Sequence, residues 1–271
     1  MNHKNTSFIA VEDRRGETLQ IAYHNTPARD TEEPGLVWFP GLRSNMNSTK
    51  VNAIADWAAR SGRSMLRFDY SGHGQSDGAF AGGTISQWLG ESLAVLGEAA
   101  RGPQILVGSS MGGWLVLLLL RALARGDELT RSICPVAGAV LIAPAWDMTE
   151  ELMWKQFTPE QRKEIETRGF RDRPSRYGDG PYRISRTLIE DGRAHLLGGE
   201  TFTPPCPVRI IQGMKDQDVP WRHVQKLTRI LKGENVTLEL IRDGDHRLSR
   251  LRDIEKMLDI IDGLYKELAG S

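Results

Sequence analysis

The sequence predicts an α/β fold, a mostly parallel eight-stranded sheet flanked by helices. Three observations carry that expectation. Strand-like and helix-like segments alternate along most of the chain, as they do where crossover helices cover both faces of a parallel sheet. Several strand-like segments are short, wholly apolar and β-branched, the composition of strands buried on both faces. One stretch, residues 145–203, breaks the alternation and reads as an insertion.

Taken in order, Phe8–Val11 and Thr18–Tyr23 flank the polar turn Asp13-Arg14-Arg15-Gly16-Glu17. They read as a hairpin, so the sheet should be mixed at that edge. Leu36–Phe39 is a strand and Thr49–Arg60 a helix; Ser64–Phe68 is a strand and Ile85–Ala100 a helix. Ile105–Val107 is a strand that runs through a glycine-rich turn into a helix over Trp114–Arg125. Ala139–Ile142, Val208–Ile211 and Thr237–Ile241 complete the strands, and Trp221–Leu231 and Arg250–Leu268 the helices. Within 145–203 no strand is expected. Helical stretches at Thr149–Phe157 and Pro159–Arg168 precede a turn-rich patch from Arg171 to Pro181. Thr158 and Pro159 supply an N-cap and a helix-start proline. A structureless loop of that length is unusual in a compact domain. The stretch therefore reads as a small helical cap set into a core made of residues 1–144 and 204–271.

The 271 residues suit one large α/β domain or two small ones. Thirty-five basic residues balance 35 acidic ones, so no nucleic acid or anionic membrane is expected as a bulk partner. The longest uninterrupted apolar run, Trp114 to Leu120, is too short to span a bilayer. Met1-Asn2-His3-Lys4-Asn5 shows no apolar leader, so no secretory signal is expected. Cys134 and Cys206 lack metal-ligand spacing and form no disulfide framework; they read as buried thiols in a reducing compartment. A cytoplasmic location is the resulting expectation.

Gly108-Ser109-Ser110-Met111-Gly112 carries the chemistry. It reads G-x-S-x-G between an apolar strand and a long helix. A serine on such a turn is pushed clear of the backbone, beside a helix N-terminus that favours developing negative charge. A serine hydroxyl needs a base, and the base an orienting acid. His246 follows the last strand in Asp243-Gly244-Asp245-His246, at the edge where open α/β sheets bind ligands. His3 is terminal, His24 precedes the serine, His73 lies in a glycine turn, His195 in the insertion and His223 on a helix. The acid follows strand Val208–Ile211 in Gln212-Gly213-Met214-Lys215-Asp216-Gln217-Asp218-Val219-Pro220, where Asp216 and Asp218 both qualify. The oxyanion donors should be the backbone N–H of Met111 and one after the third strand, in Phe39-Pro40-Gly41-Leu42-Arg43, assigned to Leu42.

Together these residues resemble the α/β-hydrolase superfamily. Pro40-Gly41, Asp69-Tyr70-Ser71-Gly72-His73-Gly74-Gln75-Ser76, the Ser110 elbow, Gly213 to Pro220 and Gly244-Asp245-His246 match its landmarks in order. The D-Y-x-G-H-G-x-S turn is similar to that of small esterases, C–C hydrolases and acylglycerol lipases. The segments around Asp216 and His246 look most like the mitochondrial depalmitoylase and acyl-glucuronide esterase type and its bacterial relatives. In the pattern G-x-x-D-x-x-V-P the acid is the position of Asp216, which favours it over Asp218. Pro40-Gly41 departs from the usual His-Gly, and no Gly-Gly-Gly-x loop is present, which argues against the hormone-sensitive-lipase type. The resemblance implies an α/β-hydrolase fold and a serine hydrolase cleaving carboxylic esters or thioesters through an acyl-enzyme. Its substrate would be a small molecule or an acyl chain, with no metal or organic cofactor required. Two other readings keep the same residues: a C–C bond hydrolase of the meta-cleavage type, and a non-catalytic ligand-binding protein on a hydrolase scaffold.

The cap should shape substrate choice. Trp146, Met148, Leu152, Met153, Trp154 and Phe157 form either an apolar wall for an acyl chain or ordinary helix packing. The six arginines and two aspartates from Arg168 to Arg186 either recognise a carboxylate or form a solvated face, the latter favoured. Trp57, Trp88 and Trp114 read as core rather than substrate platform.

Overall fold

The structure, a computed structural model, describes residues 6–28, 33–174 and 180–270. Strands β1 (Ser7–Glu12) and β2 (Thr18–Thr26) form the expected antiparallel hairpin. Strands β3 (Gly35–Phe39), β4 (Met65–Phe68), β5 (Gln104–Ser109) and β6 (Val136–Ile142) follow. A short pair, β7 (Phe170–Arg173) and β8 (Tyr182–Ser185), precedes β9 (Val208–Gly213) and β10 (Val236–Ile241). The main sheet has eight strands in the order β1-β2-β4-β3-β5-β6-β9-β10. It is parallel from β4 to β10 and antiparallel where β1 and β2 join its edge.

Every residue of β3 and β5 is buried. Period-two alternation therefore sorts apolar side chains between two covered faces rather than between core and water. Val37, Phe39 and Leu106 join the core beneath helices α2 (Ile85–Ala99) and α3 (Met111–Arg125). Leu36, Trp38, Ile105 and Val107 join the core beneath α1 (Thr49–Arg60) and the C-terminal helix, Leu251–Ala269. Trp88 and Trp114 are fully buried, while Trp57 is half-buried against Tyr265, so all three serve packing.

The strand order positions the site. The chain leaves β3 towards β4 on one side, and leaves β5 towards β6 on the other. Loops diverge at such a switch point and open a crevice at the carboxyl ends of the two strands. The loops after β3 and β5 are therefore neighbours, and they carry Leu42 and Ser110.

Between β6 and β9 the structure departs from expectation in two places. Met148–Met153 is a π-helical turn and Trp154–Gln156 a 3₁₀ turn, followed by α4 (Pro159–Arg168) with the expected Thr158 cap. The strandless reading of 145–203 is then corrected: β7 and β8 pair antiparallel, and α5 (Arg186–Arg193) follows with a Ser185 cap. Four-residue strands rich in arginine bury too little to leave an apolar signal. The turn-rich patch that joins them falls partly on residues 175–179, outside the described residues. The helix expected over Trp221–Leu231 is two shorter ones, α6 (Trp221–Gln225) and α7 (Leu227–Ile230), parted by a turn at Lys226, and α8 is the C-terminal helix Leu251–Ala269.

Asp147 holds the excursion to the core. Its backbone is left-handed (φ 50°), and its buried carboxylate accepts the N–H groups of Leu197 and Gly198 at 2.7 and 3.0 Å. The two ends of the excursion are thus joined by one side chain. Among residues 168–186, Arg168 and Arg171 pair with Glu164, Arg183 with Asp172 and Arg186 with Glu190. For these four arginines the solvated-face reading describes the arrangement.

Candidate active site

Ser110 sits between β5 and α3 with φ 53° and ψ −117°, a sparsely populated conformation for a residue with a Cβ. Two glycines make the turn possible. A Cβ on Gly108 would lie 2.5 Å from the Gly112 carbonyl oxygen, and one on Gly112 would lie 2.1 Å from that of Phe39. The backbone of the turn is tied down: Ser110 N–H donates to Ile142 O at 2.8 Å, and Ser110 O accepts from Gly113 and Ala145. The serine is thereby presented at the crevice by a turn that cannot relax.

Gly41 stands directly against it. The Cβ position of Gly41 is 3.2 Å from Ser110 Cβ, which brings Leu42 to the rim of the same pocket. The N–H groups of Leu42 and Met111 have no hydrogen-bond acceptor among the described residues. Two unpaired backbone donors beside a serine Oγ are what an oxyanion hole requires.

The loops after β9 and β10 bring in the remaining groups. They approach so closely that a Cβ on Gly213 would lie 2.4 Å from Gly244 O. Across this junction His246 Nδ1 lies 2.7 Å from Asp216 Oδ2. Asp216 is buried, and its Oδ1 accepts the N–H groups of Asp218 and Val219 at 2.9 and 2.8 Å. Gln212 Nε2 donates to Oδ2 at 3.1 Å. Four donors thus meet a carboxylate with roughly four lone-pair sites, fixing its orientation. With Nδ1 protonated towards Asp216, His246 keeps Nε2 as an acceptor, the tautomer a general base needs. Asp218, the other sequence candidate, lines the pocket instead.

Asp216, Asp218 and His246 also offer ligand atoms within 4.8 Å of one another. The Asp216 oxygens are already committed to N–H donors, which leaves the cluster poorly suited to hold a cation. Of the other described histidines, none lines this pocket. His73 is buried among Tyr70, Phe80 and Trp88, and burial pushes its pKa down to about 4. His223 stacks on Trp146 at 4.4 Å, and its Nε2 lies 2.8 Å from Trp146 O. His195 Nε2 meets Ser86 Oγ at 2.6 Å. Burial pushes the Cys206 thiol up to about 12 and raises that of Cys134, so neither is poised as a nucleophile.

The pocket holds about 490 Å³. One wall is apolar: Ala145, Met148, Leu152 and Met153 line it, whereas Trp146 packs on His223 and Trp154 lies under Arg162 and Arg193. Of the six apolar residues weighed from sequence, three therefore face the pocket. The opposite lining holds Arg43, Lys50, Arg173 and Arg247 against the single carboxylate of Asp218. Sequence reasoning weighed Arg173 within its arginine patch and missed Arg43, Lys50 and Arg247, because a charged side chain on a loop looks the same whether it faces water or a pocket. The Lys50 side chain has no hydrogen-bond or ion-pair partner within reach among the described residues, although it lines the pocket. Burial, aided by Arg247, pushes its pKa down to about 8 against the pull of Asp245 and Asp216. Sequence reasoning also left the role of Asp69 unread. Its buried carboxylate accepts Met46 N–H at 2.7 Å and Gln75 N–H at 2.9 Å, tying the D-Y-S-G-H-G-Q-S turn to the loop after β3.

Residues 34–259 match the model of the alpha/beta hydrolase family. The chain is 36% identical over 258 residues to palmitoyl-protein thioesterase ABHD10, mitochondrial, of Mus musculus, covering 94% of this chain and 82% of that one. A crystal structure of a putative hydrolase from Agrobacterium vitis S4 superposes with a TM-score of 0.91 at 41% identity, covering 96% of this chain and 98% of that one. Mouse alpha/beta hydrolase domain-containing protein 10 superposes with a TM-score of 0.82 at 36% identity, over 97% and 99% of the two chains. The expected cytoplasmic location is overturned here, since the matched mammalian relatives are named as mitochondrial. Free thiols suit any reducing compartment, so the two cysteines do not single out the cytoplasm. The expectation of no secretory signal fell on residues 1–5, which lie outside the described residues.

Proposed function

This chain belongs to the alpha/beta hydrolase family, and from that membership we propose that it cleaves carboxylic ester or thioester bonds with Ser110, Asp216 and His246 as its triad. The observation that carries the reading is the 2.7 Å contact between His246 Nδ1 and a buried, fully hydrogen-bonded Asp216 carboxylate, at the pocket that Ser110 also lines. His246 Nε2 takes the Ser110 proton as Oγ attacks the acyl carbonyl. The N–H groups of Leu42 and Met111 hold the oxyanion. His246 then protonates the leaving group, and water admitted by the same base releases the acid. The named activity of the relatives, palmitoyl-protein thioester cleavage, supports an acyl substrate.

Residues 145–203 act as the cap in this reading. Met148, Leu152 and Met153 accept the acyl group, and the cationic lining faces the leaving group. Lys50 lies among charges on the loop of His246, the side from which the leaving group is protonated. An ester whose alcohol carries a carboxylate is therefore favoured over its neutral analogue.

The test is turnover of a chain-length series of p-nitrophenyl esters and acyl thioesters, and of one ester pair differing only in a leaving-group carboxylate. The optimum chain length reports the apolar wall. For the anionic member, KM is expected to rise about ten-fold as pH climbs past the Lys50 pKa, the loss of one charge-assisted contact. The neutral member should show no such rise, and Lys50→Met should abolish the pH-dependent rise for the anionic member. A folded chain that cleaves no ester or thioester defeats the proposal and favours C–C bond hydrolysis or ligand binding without turnover.

A further inference from the structure

Arg43 combines three features that the triad does not use. It follows directly on Leu42, whose N–H is the proposed oxyanion donor. Its backbone is left-handed, with φ 60°, a conformation that a side-chain-bearing residue keeps only where its surroundings enforce it. Its side chain reaches across the pocket to the β7–β8 hairpin, where the guanidinium lies 5.0 Å from the centre of the Tyr182 ring and Nη1 donates to Gly180 O at 3.3 Å.

The far end of this contact is itself anchored. Tyr182 meets Phe80 edge-on at 6.2 Å, and Phe80 packs on His73 and Trp88, in the buried aromatic group beneath the Asp69–Ser76 turn. The near end is anchored as well. Gly41 abuts Ser110 Cβ, and Ser44 N–H closes a turn on Gly41 O at 3.0 Å. The four residues from Gly41 to Ser44 are thus held between the serine elbow on one side and the hairpin on the other. The peptide that carries the Leu42 N–H therefore lies between two fixed points, the serine elbow before it and the tethered Arg43 after it.

We infer that Arg43 is a positioning residue that ties the Leu42 N–H to the β7–β8 hairpin, so that the seating of the hairpin over the pocket sets the oxyanion donor. This rests on the reading of Leu42 as a donor. Substrate that displaces the hairpin releases the left-handed turn and swings the donor away. Substrate that fits beneath it keeps both in place. The cap then selects through the rate of the chemical step as well as through binding.

The test uses a neutral p-nitrophenyl ester, so that loss of the Arg43 charge is not read as loss of anion recognition. Losing one oxyanion donor costs roughly 10²- to 10³-fold in kcat, and loosening it costs less. Arg43→Ala and Tyr182→Leu are each expected to lower kcat about 10- to 100-fold, with KM changed less than about three-fold. The double variant should be no worse than the poorer single one, because both cut the same tether. Arg43→Gly adopts the left-handed turn freely yet should lose kcat like Arg43→Ala, which separates the tether from the turn itself. Unchanged kcat in Arg43→Ala, a loss confined to KM, full activity in Arg43→Gly, or losses that multiply in the double variant each overturn the inference. A Ser110→Ala variant run alongside distinguishes the failures. If it stays active, the reading of the whole site falls; if it is dead while Arg43→Ala keeps its kcat, only the tether falls.

Discussion

Ser110→Ala is expected to lower kcat by about 10⁴- to 10⁶-fold while leaving the fold and its melting temperature intact. The size of the loss follows from what the remaining groups can do. Without Oγ, no acyl-enzyme forms, and His246 has only water to activate. The two N–H donors and the pocket still bind substrate and polarise its carbonyl, which retains a residual rate above that in water. The fold should be spared because alanine meets the same steric demands as serine at φ 53°, and because the hydrogen bonds that tie the turn are made by its backbone. The rate is read with a short p-nitrophenyl ester and the fold by thermal unfolding. A variant within ten-fold of wild type would remove Ser110 from the mechanism.

Asp216→Asn should cost about 10⁴-fold in kcat, the effect of presenting an amide where a carboxylate fixes the imidazole tautomer. The Asp216 oxygens accept the N–H groups of Asp218 and Val219 and the side-chain amide of Gln212, besides His246 Nδ1. An asparagine can keep the two backbone contacts through its oxygen. Its NH₂ then faces both His246 and Gln212, so that His246 must turn its unprotonated nitrogen inward and offer a protonated one to Ser110. Asp218→Asn keeps the Asp218 backbone N–H on Asp216 and the His246–Asp216 contact, and should stay within about ten-fold of wild type. The contrast between the two variants decides which aspartate is the acid, a choice that spacing alone left open. Equal losses in both would contradict the assignment.

Much of the fold was legible because it is written in period and polarity. The wholly apolar runs at β3, β5 and β6 could only be strands covered on both faces, and the polar turn after β1 marked a hairpin. The order of serine, acid and histidine was legible because each follows a strand at the carboxyl edge of the sheet. What stayed hidden was set by contacts distant in sequence. The β7–β8 pair carries Arg171, Asp172, Arg173 and Arg183 in eight residues, so its strand character comes from pairing and not from an apolar pattern. Nothing local shows that Asp147 reaches Leu197 and Gly198, or that Arg43 reaches Gly180. Lys50 carries no local signal, and only the fold places it in the pocket that His246 also lines. The selection of Asp216 over Asp218 as the partner of His246 depends on the close approach of Gly213 to Gly244, which is a tertiary fact.

In the proposed mechanism Ser110, activated by His246, attacks the acyl carbon. The most direct measurement of this step is the mass of the chain after reaction with a fluorophosphonate, followed by mapping of the modified peptide. One phosphonyl group on the peptide that contains Ser110, absent in Ser110→Ala and formed at least about 10²-fold more slowly in His246→Ala, is the predicted result. A folded, ester-cleaving chain that carries no adduct at Ser110, or carries it on another residue, would contradict the account.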